Sequence, residues 1–189
     1  MEQAIINHFH FTLGTLKNGK APPIFPGPQP ISIERKHFQT LKNKDYVVCE
    51  KTDGIRHALV CTLFKGKKVY ALLNRNLEVT PVQLNFPNSA SKGTVLDGEL
   101  IEGNRFLVYD GMSVSGENIM ELDFLKRIEK VGMFIKGIMK TKKDRIKIKL
   151  KNFLLKDDTQ ELVKSYIPSL KYKTDGLIFT PIFETVKLG

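Results

Sequence analysis

Two short apolar runs, Tyr46-Val47-Val48-Cys49 and Ala58-Leu59-Val60-Cys61, flank the polar stretch Glu50-Lys51-Thr52-Asp53-Gly54-Ile55-Arg56. This pattern predicts two strands joined through a tight polar corner. Downstream, strands are predicted over residues 69–73, after the turn Lys65-Gly66-Lys67-Lys68, and over 94–101. Asn74-Arg75-Asn76 reads as a polar turn between them. Glu102-Gly103-Asn104 reads as a hairpin turn, with 105–110 as the return strand. Arg145-Ile146-Lys147-Ile148-Lys149-Leu150-Lys151 alternates strictly, which predicts a strand with one basic face. A last strand is predicted over 171–180.

Helices are fewer. Residues 35–43 predict a short one packing through Phe38 and Leu41. Residues 117–139 predict a longer one, because Leu122, Leu125, Ile128 and Val131 recur at three- and four-residue steps, with Arg127 facing away. Residues 157–166 predict another, opened by Asp157, Asp158 and Thr159, residue types that cap a helix N-terminus. Near the start, His8 and His10 alternate with Phe9 and Phe11, which reads as a strand. Two histidines on one strand face suit a metal, but no third ligand is evident. Ala21-Pro22-Pro23-Ile24-Phe25-Pro26-Gly27-Pro28-Gln29-Pro30 cannot be helical. It is either a linker or an extended segment laid across the domain and anchored by Phe25 and Ile31. The expected organisation is an N-terminal extension with this proline-rich segment over 1–30, then one α+β domain over 31–189, with antiparallel sheets flanked by helices.

Composition narrows the picture. The 189 residues suffice for one sizeable core, and 41% hydrophobic with 26% charged residues is ordinary for a globular chain. No apolar run is long enough to span a bilayer, so no membrane partner is expected. Cys49 and Cys61, both inside apolar runs, read as buried thiols of an intracellular, reducing compartment rather than a disulfide. The formal charge of +10, from 30 Lys+Arg against 20 Asp+Glu, favours polyanionic partners such as nucleotides or nucleic acid. No GxxxxGK[ST] loop and no GxGxxG is present, which removes the P-loop and dinucleotide-binding readings.

The chemistry concentrates at strand ends. Lys51 to Arg56, Arg75, Asp97-Gly98-Glu99 and Thr174-Asp175-Gly176 each adjoin an apolar strand. Such a set can bring an amine, cationic clamps and carboxylates for a divalent ion into one cleft, as phosphoryl transfer to a lysine requires. Gly54 permits close approach of backbone and ligand, and Arg56 offers a fixed fork of donors. A free lysine has a pKa of about 10.4, so attack by Lys51 requires burial or nearby cations to bring that down.

These residues resemble the covalent nucleotidyltransferases, the superfamily of mRNA capping guanylyltransferases and ATP-dependent polynucleotide ligases. Lys51-Thr52-Asp53-Gly54-Ile55-Arg56 matches the KxDGxR nucleophile motif. Leu96-Asp97-Gly98-Glu99-Leu100 is similar to motif III, Arg105-Phe106-Leu107-Val108-Tyr109-Asp110 to motif IIIa, and Lys173-Thr174-Asp175-Gly176-Leu177-Ile178 to motif IV. Thr52, the Pro26-Gly27-Pro28-Gln29-Pro30 segment and the Asp-Gly form of motif IV resemble the capping branch more than the ligases.

The resemblance implies a nucleotide cleft between the sheets, with Lys51 attacking GTP to give a lysyl-GMP that passes to a 5′-diphosphate RNA. It implies Arg56 and Arg75 on the ribose and phosphates, and Glu99 and Asp175 on Mg2+ or Mn2+. It also implies Phe106 or Tyr109 stacked on guanine, and Lys151, or less directly Lys149, reading its O6. Asp53 and Gly54 support the motif. A lysine-rich motif V and an OB-type domain, expected after Asp175, are not in the sequence. The expectation is therefore part of a larger capping enzyme, in a eukaryotic or large-DNA-virus setting. The competing expectations are an ATP-dependent ligase domain and a non-catalytic RNA- or nucleotide-binding module.

Overall fold

The computed structural model describes residues 1–102 and 104–188. Gly103, the middle of the expected hairpin turn, lies outside them, as does Gly189. The fold is α+β and built on two sheets. The larger runs β4-β3-β2-β5-β6, with two short strands along the far edge of β6. Its members are β2 (Ile55–Phe64), β3 (Lys67–Asn74), β4 (Val79–Pro81), β5 (Thr94–Ile101) and β6 (Arg105–Val114), with β7 (Glu117–Asn118) and β8 (Lys147–Leu150) on that edge. All its pairs are antiparallel except β6 with β8. The smaller sheet, order β10-β1-β9, comprises β1 (Tyr46–Thr52), β9 (Leu154–Leu155) and β10 (Thr174–Pro181). The strands flanking the polar corner thus belong to different sheets, and the chain crosses between them at Asp53 and Gly54.

The large sheet is covered on both faces, so every residue of β2 from Arg56 to Thr62 is buried. That accounts for a continuous apolar run where a one-faced strand would alternate. On one face, Leu59, Leu72, Leu96, Phe106 and Val108 pack against Val131, Phe134 and Ile138. On the other, Ala58, Val60, Ala71, Leu73 and Val95 pack against Ile5, Phe9 and Leu13.

Those last three belong to α1 (Glu2–Leu13), where a strand was expected. Ile5, Phe9 and Leu13 recur every four residues, and this longer period, not the local His-Phe alternation, decides the element. Gly14 ends the helix at φ 69°, its amide bonding to the His10 and Phe11 carbonyls. His10 is buried with Nδ1 2.7 Å from Thr15 Oγ1, while Phe11 is exposed. The proline-rich segment lies across the domain: the Phe25 ring is 4.9 Å from that of Phe9. Ile31 is not a second anchor, being largely exposed.

The helix expected over 117–139 is shorter and rotated. A turn at Ser115 and Gly116, both with positive φ, starts the small strand β7. Helix α3 begins only at Phe124 and ends at Lys136, with the Asp123 carboxylate accepting from the Lys126 amide. Its buried stripe is Phe124, Arg127, Val131 and Phe134, while Leu125 is exposed. Arg127 faces inward because Asp110 on β6 neutralises it, at 2.9 Å, and two carbonyls, of Leu122 and Glu184, accept from its Nη1. Residues 35–43 form a 3-10 turn and then α2 (Phe38–Asn43), but Phe38 is exposed and Leu41 only half-buried. Residues 156–169 are helical but broken, with a π-turn over Leu162–Tyr166.

Cys49 and Cys61 are buried free thiols, and burial pushes Cys49 up to about 11. Among the described residues no helix is long and apolar enough to cross a membrane.

The packing of α1 is directly testable. Phe9→Ala should destabilise the domain by about 3–5 kcal/mol, read as a lower urea midpoint at unchanged slope. A loss below about 1 kcal/mol would show that α1 is not part of the core.

Candidate active site

Three irregularities in strand pairing shape the region around the polar corner. The β1–β10 register slips between Glu50, opposite Leu177, and Thr52, opposite Thr174. Asp175 and Gly176 together therefore face Lys51. Gly176 takes a φ of 143°, a conformation L side chains rarely adopt. Such a bulge re-aims side chains, and here it sets the Lys51 amine 3.6 Å from the Asp175 carboxylate. Both side chains are about half exposed.

A second slip, between Asp97 and Gly98 on β5, leaves Tyr109 as the extra residue on β6. Its hydroxyl donates to Asp97 Oδ1 at 3.1 Å. The third irregularity is the corner itself. Gly54 lies so close to β5 that a Cβ there would come within 2.7 Å of the Leu100 carbonyl and 3.2 Å of Glu99 Oε2. Only glycine lets the corner sit on the Glu99 carboxylate. Asp53 is exposed, and its amide bonds to the Lys173 carbonyl at 3.0 Å, which ties the corner to the start of β10.

Arg56 is the best-held charge. Its Nε and Nη2 bond to both oxygens of Asp97, at 3.0 and 2.5 Å, and Nη1 donates to the Pro28 carbonyl. The guanidinium also lies over the Phe25 ring, 5.0 Å from its centre. Gly27 makes room for it, since a Cβ there would meet Nη2 at 2.8 Å. The expected contact of Arg56 with ribose or phosphate thus has competitors: its forks are occupied by the protein itself. Arg75 differs, being exposed with its charge reaching Glu99.

Glu99 sits among Lys151, Asp97, Arg56 and Arg75. Burial pushes its carboxyl above 4.5, with Lys151 pulling the other way and Asp97 adding to the rise. Its Oε2 is buried with no hydrogen-bond partner. An unsatisfied buried acceptor of this kind costs about 1–3 kcal/mol, which stability alone does not favour.

Lys151 follows β8, and its side chain is 1% exposed. It donates to the Glu50 carbonyl at 2.5 Å and lies 3.5 Å from Glu50 Oε1. Glu50 has no exposed surface and also accepts from the Tyr172 hydroxyl at 3.0 Å. The basic face of residues 145–151 therefore divides: Lys147 and Lys149 stay in solvent, whereas Lys151 crosses to the small sheet. Phe106 is fully buried in the core, its ring against Gly98, and Tyr109 is half-buried, with its ionisation pushed far up by burial and by Asp97.

The structure thus brings together Lys51 with Asp175, Arg56 with Asp97 and Tyr109, and Glu99 with the charges of Lys151 and Arg75. It leaves Lys149 exposed and apart, and Phe106 sealed. Glu50, Asp97 and Tyr172 were given no individual roles from sequence. Asp97 was visible inside Asp-Gly-Glu, but the alternation at Lys171-Tyr172-Lys173 gave no sign of a buried partner. Among the described residues no group of three or more His, Cys, Asp or Glu is placed to hold a metal unaided.

This two-sheet arrangement has a counterpart among solved structures. A mycobacterial DNA ligase D solved with ATP and MES is similar to it, with a TM-score of 0.54 at 13% identity, over 88% of this chain and 56% of that one. At such identity the likeness is one of fold. The sequence specifies more: the family model "mRNA capping enzyme, catalytic domain" matches residues 3–189, and the chain belongs to that family. Similar curated proteins include the mRNA-capping enzyme subunit alpha of Schizosaccharomyces pombe, 33% identical over 86% of this chain and 47% of that protein. The subunit of the same name from Neurospora crassa is 31% identical over 86% and 48%, and the mRNA-capping enzyme of Danio rerio is 28% identical over 84% and 30%. The chain spans about half the length of the fungal relatives or less.

The Glu99 environment sets a pH dependence. A carboxyl raised in the folded state favours folding below 4.5, and that contribution is lost as pH rises through the folded value. Glu99→Gln should accordingly be more stable than wild type at pH 7, and the difference should close below pH 4.5. Urea unfolding at several pH values measures it, and a variant less stable at pH 7 would contradict the burial argument.

Proposed function

We propose that this domain is the guanylyltransferase unit of an mRNA capping enzyme, forming a lysyl-GMP intermediate from GTP and passing GMP to a 5′-diphosphate RNA. The observation that carries the reading is the Lys51 amine at a bulge, 3.6 Å from Asp175, next to a glycine corner that rests on Glu99. Membership of the capping family supports it.

In the first step the Lys51 nitrogen lone pair attacks the α-phosphorus of GTP. The bond to the β-phosphate oxygen breaks, pyrophosphate leaves, and the proton shed by the amine passes to water, leaving a P–N bond. In the second step a terminal oxygen of the RNA diphosphate attacks the same phosphorus, the P–N bond breaks as the nitrogen takes a proton from water, and the lysine is regenerated. Position and charge do most of the work in such transfers. Arg75 meets the phosphate or ribose side from solvent. Arg56 acts from behind, holding Asp97 and the corner. Lys151 reads guanine O6 with a donor left over from its bonds to Glu50.

Glu99 and Asp175 suit a divalent ion that takes one or two carboxylates and completes its shell with phosphate oxygens and water. The unpartnered Glu99 Oε2 is the acceptor such an ion fits. Mg2+ or Mn2+ bound there would supply charge neutralisation at the phosphates. The remaining parts of a larger capping enzyme are the partners this reading implies.

Incubation with α-labelled GTP and, separately, ATP tests the reading. Wild type should give an acid-labile, alkali-stable adduct with GTP. Lys51→Ala should give none, whereas Lys65→Ala, in an exposed turn, should label like wild type. Equal labelling of wild type and Lys51→Ala would remove the assignment, and an adduct with ATP alone would transfer it to a ligase.

A further inference from the structure

We infer that Glu50, assisted by Tyr172, is a positioning residue for nucleotide selection, holding the Lys151 ammonium at a set place relative to the Lys51 nucleophile. The inference rests on the reading of Lys151 as the group that meets guanine O6. Lys151, just past the end of β8 in the large sheet, and Lys51, on β1 of the small sheet, are 100 positions apart in sequence. Among the described residues, Glu50, the immediate neighbour of Lys51, meets the Lys151 amine with both its main-chain carbonyl and its side chain. One peptide unit therefore connects the base-reading amine to the attacking amine. Any shift of Lys151 is resisted by two acceptors on a residue that cannot move without moving Lys51.

Tyr172 supplies a third point. Its hydroxyl donates to Glu50 Oε1 at 3.0 Å, and burial together with Glu50 pushes its ionisation far up, so it remains a donor at neutral pH. Its ring is stacked under the Arg105 guanidinium of β6, 5.6 Å from the ring centre. Tyr172 stands three residues before Asp175, the partner of Lys51. The base end and the phosphate end of the cleft are thus registered by one buried carboxylate. Thr52 Oγ1, 3.5 Å from Glu50 Oε1, lies on the same side. A nucleoside triphosphate whose base engages Lys151 has its α-phosphate brought to Lys51 by this linkage. One whose base offers Lys151 a donor instead of an acceptor does not.

The alternative is that Glu50 merely neutralises a buried lysine. The two are separated by single-turnover labelling with GTP and ATP, comparing kcat/KM for wild type, Glu50→Gln, Tyr172→Phe, Lys151→Met and the double variant Glu50→Gln with Lys151→Met. Thermal unfolding identifies variants that fold. Glu50→Gln should lower the GTP-over-ATP preference on the order of tenfold, as expected for a misplaced donor. Tyr172→Phe should lower it by about two- to threefold, the scale of one hydrogen bond. In the double variant, Glu50→Gln should add no further loss to that of Lys151→Met.

If Lys151→Met relaxes the preference while Glu50→Gln and Tyr172→Phe leave it unchanged, this inference is overturned and the base-reading role stands. If Lys151→Met itself leaves the preference unchanged, both are overturned. Should Glu50→Gln fail to fold, Tyr172→Phe, which removes one oxygen from a half-buried ring, decides alone.

Discussion

A guanidinium with almost no access to water holds four separated stretches of this chain together. Arg56 leaves the glycine corner, takes both oxygens of Asp97 on β5, reaches the Pro28 carbonyl, and lies over the Phe25 ring of the proline-rich segment. Through Asp97 it also fixes the Tyr109 hydroxyl of β6. Buried ion pairs bring little net stability compared with apolar packing, but removing one partner strands the other charge at a cost of about 3–5 kcal/mol. The contact therefore acts as a constraint more than as a source of stability. It obliges the corner, the Asp-Gly-Glu strand and the proline-rich segment to sit in one arrangement or not to fold well.

The same logic operates between the sheets. Lys151 leaves the large sheet and is neutralised by Glu50 of the small one. Tyr172 and Arg105 bridge in parallel. Polar groups join the two halves beside the Lys51 corner, and apolar packing against α1 and α3 secures each face of the larger sheet. Arg127 and Asp110 perform a comparable service for α3, fixing that helix to β6 and to the carbonyl of Glu184.

Bulges do the remaining work of the site. A regular β1–β10 ladder would put one residue opposite Lys51; the slip puts two there, and one of them is Asp175. The slip beside Gly98 turns Tyr109 toward Asp97 in the same manner. The Asp-Gly pairs of the sequence are read physically as places where a strand is bent and a carboxylate is re-aimed, with glycine at the position whose φ or proximity excludes a side chain.

Sequence alone determined the longer strands, the glycine-marked corner and the family, but not the short strands β4, β7 and β9. Apolar runs and turn residues are local signals, and the motifs are contiguous. It misjudged α1 and α3, where two periods compete over a few residues and only the face offered by the sheet decides which is used. Arg127 shows why: an arginine joins a buried stripe when a carboxylate 17 positions earlier waits beneath it, and no local window contains that fact. Tertiary structure alone decided that Arg56 is occupied by Asp97, that Phe106 is sealed in the core, and that Lys151 parts company with Lys147 and Lys149. Each outcome depends on which distant group lies within hydrogen-bond reach once the two sheets have met, and that distance is not written in residue order.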